Sequence, residues 1–147
     1  MKAFKDYSRS MKENLSFDYP IRVQPHHTDY AGIVWHGTYI RWLEEARVEY
    51  LRSMGVEFAD LVASGCDLPV VELSLRYRKA LYLGCSAIVK AKINLQGVRL
   101  NWDYEIRSPD DLELYLTARV VLVPVDRQTW KIMRQLPPIL HSVLNEP

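Results

Sequence analysis

Residues 26–54 read HHTDYAGIVWHGTYIRWLEEARVEYLRSM, and this stretch decides the fold. Its opening is a loop: Thr28-Asp29-Tyr30 ahead of Gly32 is turn chemistry, with an acid able to hydrogen-bond its own backbone. The rest is helical. From about His36 to Met54 nothing interrupts the pattern, and Gly55 is the natural stop. At 100° per residue, Tyr39, Ile40, Trp42, Leu43, Ala46, Tyr50, Leu51 and Met54 span an arc of roughly 180°, wide for a surface helix. Arg41, Glu45, Glu49 and Arg52 mark the opposite face, with Arg41 and Glu45 at ion-pair spacing. Arg47 falls inside the apolar arc, where an arginine is costly unless paired, and Glu44 is the available partner. Such a helix would be about 28 Å long at ~1.5 Å per residue.

The flanking chain reads as strand. Phe17–Val23 alternates, with Phe17, Tyr19, Ile21 and Val23 on one face, and Pro25 closes it. Val56–Ser64 is a short second helix before Gly65. Strands follow at Leu68–Tyr77, Ser86–Leu95, Val98–Ile106 and Leu112–Val125, with turns at Gln96-Gly97 and Ser108-Pro109-Asp110-Asp111. Leu136-Pro137-Pro138 ends the regular structure and predicts an irregular cap. The order β-α-β-β-β-β with short turns implies an α+β domain: one long central helix wrapped by a five-stranded antiparallel sheet. Strands of about ten residues run about 33 Å, enough to enclose the helix lengthwise. Such a sheet leaves open edges, and association into a dimer is the simplest remedy.

Composition narrows the function. A chain of 147 residues is one domain by size, with 17–147 as its body and 1–16 as a flexible extension. A net charge of +1 gives no reason to expect nucleic acid, and no run of 18 apolar residues predicts a membrane span. Residues 1–16 lack the apolar core of a secretory signal, so a cytoplasmic location is expected. Cys66 and Cys85 have neither metal-ligand spacing nor a disulfide framework.

The chemistry concentrates before the helix. Asp29 is either a turn residue or the carboxylate of a hydrolytic site, where the N–H groups of a helix start can polarise a carbonyl. His26, His27, Asp29 and His36 lack the two-His pairing of a zinc helix, so no metal is expected. Arg76, Arg78 and Lys79 cluster at a strand end, either as a solvated edge or as contacts for phosphates.

The run Asp29-x-Ala31-Gly32-Ile33-Val34-Trp35, with Tyr39, Trp42, Glu44, Ala46, Arg47 and Glu49 at their spacings, resembles the hotdog-fold acyl-CoA thioesterases, closest to the 4-hydroxybenzoyl-CoA thioesterase and YbgC-like branch. Tyr77, Ala80 and Gly84 fall where that family has its Tyr…Pro-Ala…Gly-Asp segment, with Lys79 and Cys85 departing from it. The resemblance covers about residues 18–138. It implies a hotdog dimer or tetramer with active sites at the dimer interface. It also implies that Asp29 acts as base or nucleophile and that the backbone N–H of His36 bonds the thioester oxygen. Tyr30, Gly32, Ile33, Val34, Trp35 and Thr38 are then the expected substrate-binding positions, and Arg76, Arg78 and Lys79 the expected CoA contacts. No cofactor is needed, since CoA arrives with the substrate. An aromatic acyl-CoA, such as 4-hydroxybenzoyl- or 1,4-dihydroxy-2-naphthoyl-CoA, or a short-chain acyl-CoA is the expected substrate. The alternatives are a non-catalytic acyl-CoA or acyl-carrier-protein binding module and a hotdog enoyl-CoA hydratase.

Overall fold

A computed structural model describes residues 16–144, so the expected N-terminal extension lies almost wholly outside the described residues. Strand β1 (Phe17–Arg22) leads through a 3-10 turn at Pro25–His27 into helix α1 (Thr38–Ser53). A short helix α2 (Phe58–Ala63) and the two-residue strand β2 (Cys66–Asp67) precede the remaining strands. These are β3 (Val70–Tyr77), β4 (Ser86–Gln96), β5 (Arg99–Arg107), β6 (Leu114–Leu122) and β7 (Val125–Asp126), and helix α3 (Pro138–Leu144) closes the chain. The five long strands form one antiparallel sheet in the order β1-β4-β5-β6-β3, and β2 pairs with β7 in a small separate ribbon.

The sheet curls around α1. Alternation on β4 and β5 points Ala87, Val89 and Ala91, then Leu100, Trp102, Tyr104 and Ile106, toward the helix, all buried. The helix answers with Tyr39, Trp42, Leu43, Ala46 and Leu51, each nearly inaccessible. Full burial of a side chain of this size stabilises by about 1.5–3 kcal/mol relative to exposure. The α1 axis, about 24 Å at ~1.5 Å per residue, is shorter than the expected His36–Met54 helix. Arg47 is tucked against the core with its side chain 11% exposed, 3.7 Å from Glu44, whose side chain is 68% exposed.

Four expectations need correction. The helix begins at Thr38 with Gly37 as its cap, so His36 lies in the turn before it. Ile40 lies at the open margin of the apolar arc and is exposed. The last strand ends at Leu122, because Pro124 has no N–H to continue the ladder, and the chain resumes pairing as β7 against β2. The tail is no irregular cap. Pro138 occupies a helix start, where a missing N–H costs nothing, and the Pro137 carbonyl accepts from the N–H groups of Leu140 and His141. Leu136 and Leu140 anchor α3 to the core.

The two sheet edges differ. β1 is six residues long and carries Pro20, a residue that blunts an edge. β3 is eight residues, Val-Val-Glu-Leu-Ser-Leu-Arg-Tyr, without proline. Val70, Val71, Leu73 and Tyr77 on it are each roughly half exposed.

Candidate active site

The chain enters α1 through a small hairpin. Asp29 N–H donates to the Ile33 carbonyl at 2.8 Å, and Gly32 N–H donates to the Asp29 carbonyl at 3.1 Å. Thr28 bridges Val34, and Ile33 bridges Tyr82. The turn needs a left-handed residue at Gly32, whose φ is +75°, and glycine supplies it without strain. Within this hairpin, Oδ1 of Asp29 accepts from the N–H groups of Ala31 (2.8 Å) and Ile33 (3.2 Å). Oδ2 makes no hydrogen bond among the described residues. One carboxylate oxygen therefore builds the turn, and the other takes no part in it.

His27 ties the hairpin to the helix. Its carbonyl accepts from Trp35 N–H at 3.0 Å and from the Thr38 hydroxyl at 2.9 Å. Its Nδ1 accepts from Gln24 N–H at 2.8 Å, and its ring meets Trp42 edge-on with centroids 5.0 Å apart. Burial, with neighbouring His26 adding to it, lowers the imidazole below its ordinary value, and Glu45 opposes this. The neutral ring is also the form that can accept from Gln24.

The helix start is open. Thr38 N–H donates to the Trp35 carbonyl and Ile40 N–H to the Gly37 carbonyl, while the N–H groups of His36 and Gly37 find no acceptor among the described residues. The Trp35 indole lies across Gly37, where a Cβ would fall 2.1 Å from the ring. A side chain at this position would have to displace the indole, while the backbone φ is ordinary. The Tyr77 hydroxyl, at the end of β3, donates to the His36 carbonyl at 2.8 Å. Its ring also packs edge-on against Tyr39.

An open groove of about 310 Å³ lies at this junction, lined by Ile33, Val34, His36, Tyr39, Tyr77, Arg78, Lys79 and Ala80. Burial pushes the Tyr39 phenol up to about 12, so this wall stays uncharged. The groove brings together three of the expected positions around the helix start, Ile33, Val34 and His36, with two of the basic cluster. Other expected positions lie elsewhere. Tyr30 is fully exposed at the hairpin tip, Trp35 is half exposed on Gly37, and Thr38 is buried with its hydroxyl committed to His27. Arg76 lies beside a separate groove with Ser74, Thr117 and Arg119 on the outer sheet face. Lys79 pairs with Glu113 at 2.8 Å, which holds the ammonium charged. Arg78 lines the groove without an ion pair among the described residues. Sequence reasoning gave Tyr77 no part in the site, because the residue it contacts is 41 positions away.

A long helix cupped by a five-stranded antiparallel sheet is the hotdog frame, and comparison with known proteins gives its chemistry as thioester hydrolysis. The profile of the thioesterase-like superfamily matches residues 23–146. A provisionally named esterase of Synechocystis, sll0410, is 54% identical over 129 residues, covering 87% of this chain and 78% of that protein. A provisionally named acyl-CoA thioesterase of Bacillus subtilis, YneP, is 31% identical over 112 residues, covering 76% and 80%. The solved structure of a DHNA-CoA thioesterase from Staphylococcus aureus superposes with a TM-score of 0.76 at 27% identity, covering 88% of this chain and 84% of that one. The chain belongs to the thioesterase-like superfamily and is a thioester hydrolase of the hotdog fold.

Proposed function

We propose that the chain hydrolyses an acyl-CoA to the free acid and CoA, with Asp29 as the reacting carboxylate and the His36 N–H as oxyanion donor. The observation that carries this reading is the split use of Asp29. Its Oδ1 accepts two backbone N–H groups, which fix the carboxylate, and its Oδ2 has no hydrogen-bond partner among the described residues. As a base, Oδ2 takes a proton from water as that water attacks the thioester carbonyl. As a nucleophile, Oδ2 attacks the carbonyl, CoA leaves as thiolate, and water opens the resulting anhydride. A thiolate is a good leaving group, so one carboxylate suffices, contributing typically ~10²–10⁴-fold. An N–H aimed at the developing oxyanion adds on the order of 3 kcal/mol.

The substrate class follows from the groove and the relatives' names. Tyr39, Tyr77, Ile33 and Val34 make apolar walls suited to a flat aromatic or short acyl group, and Arg78 at the rim suits a phosphate of CoA. The same reading makes the protein a homodimer joined through β3. That strand pairs with β6 along one side only, and its other side, with no partner strand among the described residues and apolar side chains half exposed, is an edge that a second copy would complete in antiparallel pairing.

A thiol-release assay over short, long, benzoyl, 4-hydroxybenzoyl and 1,4-dihydroxy-2-naphthoyl thioesters of CoA tests the proposal. Turnover of an aromatic or short-chain member is expected. Tight binding without thiol release from any member would make the chain an acyl-CoA binding module instead. Single turnover in oxygen-18 water separates the two routes: label entering Asp29 marks the nucleophile.

A further inference from the structure

The contact between the end of β3 and the helix start carries more than packing. Two consecutive peptides at this start carry N–H groups with no acceptor among the described residues. The Trp35–His36 peptide has its carbonyl taken by Thr38 N–H, and the His36–Gly37 peptide has its carbonyl taken by the Tyr77 hydroxyl. Both peptides are trans, so each N–H points opposite its carbonyl. The first is held from within the helix. The second has no helical partner, since the ladder begins only at Thr38, and among the described residues the Tyr77 hydroxyl is what fixes its plane.

We propose that Tyr77 is a positioning residue, which holds the His36–Gly37 peptide so that the Gly37 N–H serves as a second oxyanion donor beside that of His36. The inference rests on the active-site reading above and deepens it. Three observations converge. The hydrogen bond is short, at 2.8 Å. The Tyr77 ring is steadied edge-on by Tyr39, with centroids 5.5 Å apart. The Trp35 indole closes over Gly37, where a Cβ would fall 2.1 Å from the ring. A donor displaced by a fraction of an ångström loses much of its value to a transition state, because its advantage lies in being aimed before the charge develops.

Tyr77→Phe tests this, because it removes the hydroxyl and keeps the ring on Tyr39 and the strand edge. With the best acyl-CoA found in the panel, kcat is expected to fall about tenfold. KM should stay within about twofold, and melting temperature and oligomeric state should not change, a pattern that lost packing would not give. Asp29→Asn is measured in parallel. If Asp29→Asn is inactive while Tyr77→Phe keeps its kcat, the positioning role is wrong and the site stands. The role is equally overturned if the Tyr77→Phe loss lies in KM or in a lowered melting temperature. If both variants turn over like the parent, the site reading and the role fall together.

Discussion

Asp29 carries two demands on one side chain, and substitutions can separate them. Asp29→Asn keeps an oxygen that can accept from Ala31 and Ile33 but removes the charge and the proton acceptor. It should lower kcat by about 10²-fold or more with little change in melting temperature. Asp29→Ala should lose the same activity and also about 1 kcal/mol of stability, because the turn loses its acceptor. His36→Gln retains the backbone N–H and should cost far less kcat than Asp29→Asn; a larger loss would move the main role to the imidazole. The turn propensity of Thr-Asp-Tyr was legible in the sequence, and so was the position of Asp29 before a helix. The Tyr77 contact was not. It joins residues 41 positions apart through the curl of the sheet, and no local periodicity encodes that.

At the scale of elements, α1 was legible because its buried residues recur at helical spacing and span both of its ends. Its first residue was not, because Gly37 caps the helix without any side-chain hydrogen bond that a sequence motif would signal. Proline misled at the tail. Pro137-Pro138 reads as a stop, yet one proline accepts at the head of α3 and the other opens it. The 3-10 turn at Pro25–His27 makes its own prediction. His27 has a depressed pKa in the folded state, so its neutral form contributes stability that is fully present above the unfolded value of 6.5. That contribution is lost as pH falls through the lower folded value, because the protonated Nδ1 can no longer accept from Gln24. Melting temperature should therefore drop as pH falls below about 6.5. His27→Gln, which does not titrate, should flatten that part of the slope. A slope unchanged in His27→Gln would place the acid sensitivity elsewhere.

The molecule as a whole has one managed edge and one open one. Proline and short length defend β1, whereas β3 carries apolar side chains that stay half exposed along its open edge. A need to cover open edges could be read from the strand count, but which edge is open depends on the order β1-β4-β5-β6-β3, a long-range outcome. Leu73, half exposed near the middle of β3, is where a charge should act most cleanly. Leu73→Lys should convert a dimer into a monomer in sedimentation velocity, since a lysine on an edge opposes pairing, with a small change in the stability of the single chain. A dimer that persists in Leu73→Lys would put the interface elsewhere.

The indole lying on Gly37 has an optical consequence. Of the four tryptophans, Trp42 and Trp102 are sealed in the core, and Trp35 is half exposed over Gly37, between the groove-lining Val34 and His36. Trp130, on the β7 side, is the other exposed one. With Trp130→Phe, the solvent-sensitive part of the intrinsic emission comes from Trp35 alone. The protein thus carries its own fluorophore beside the groove, and occupancy can be followed by light without a label.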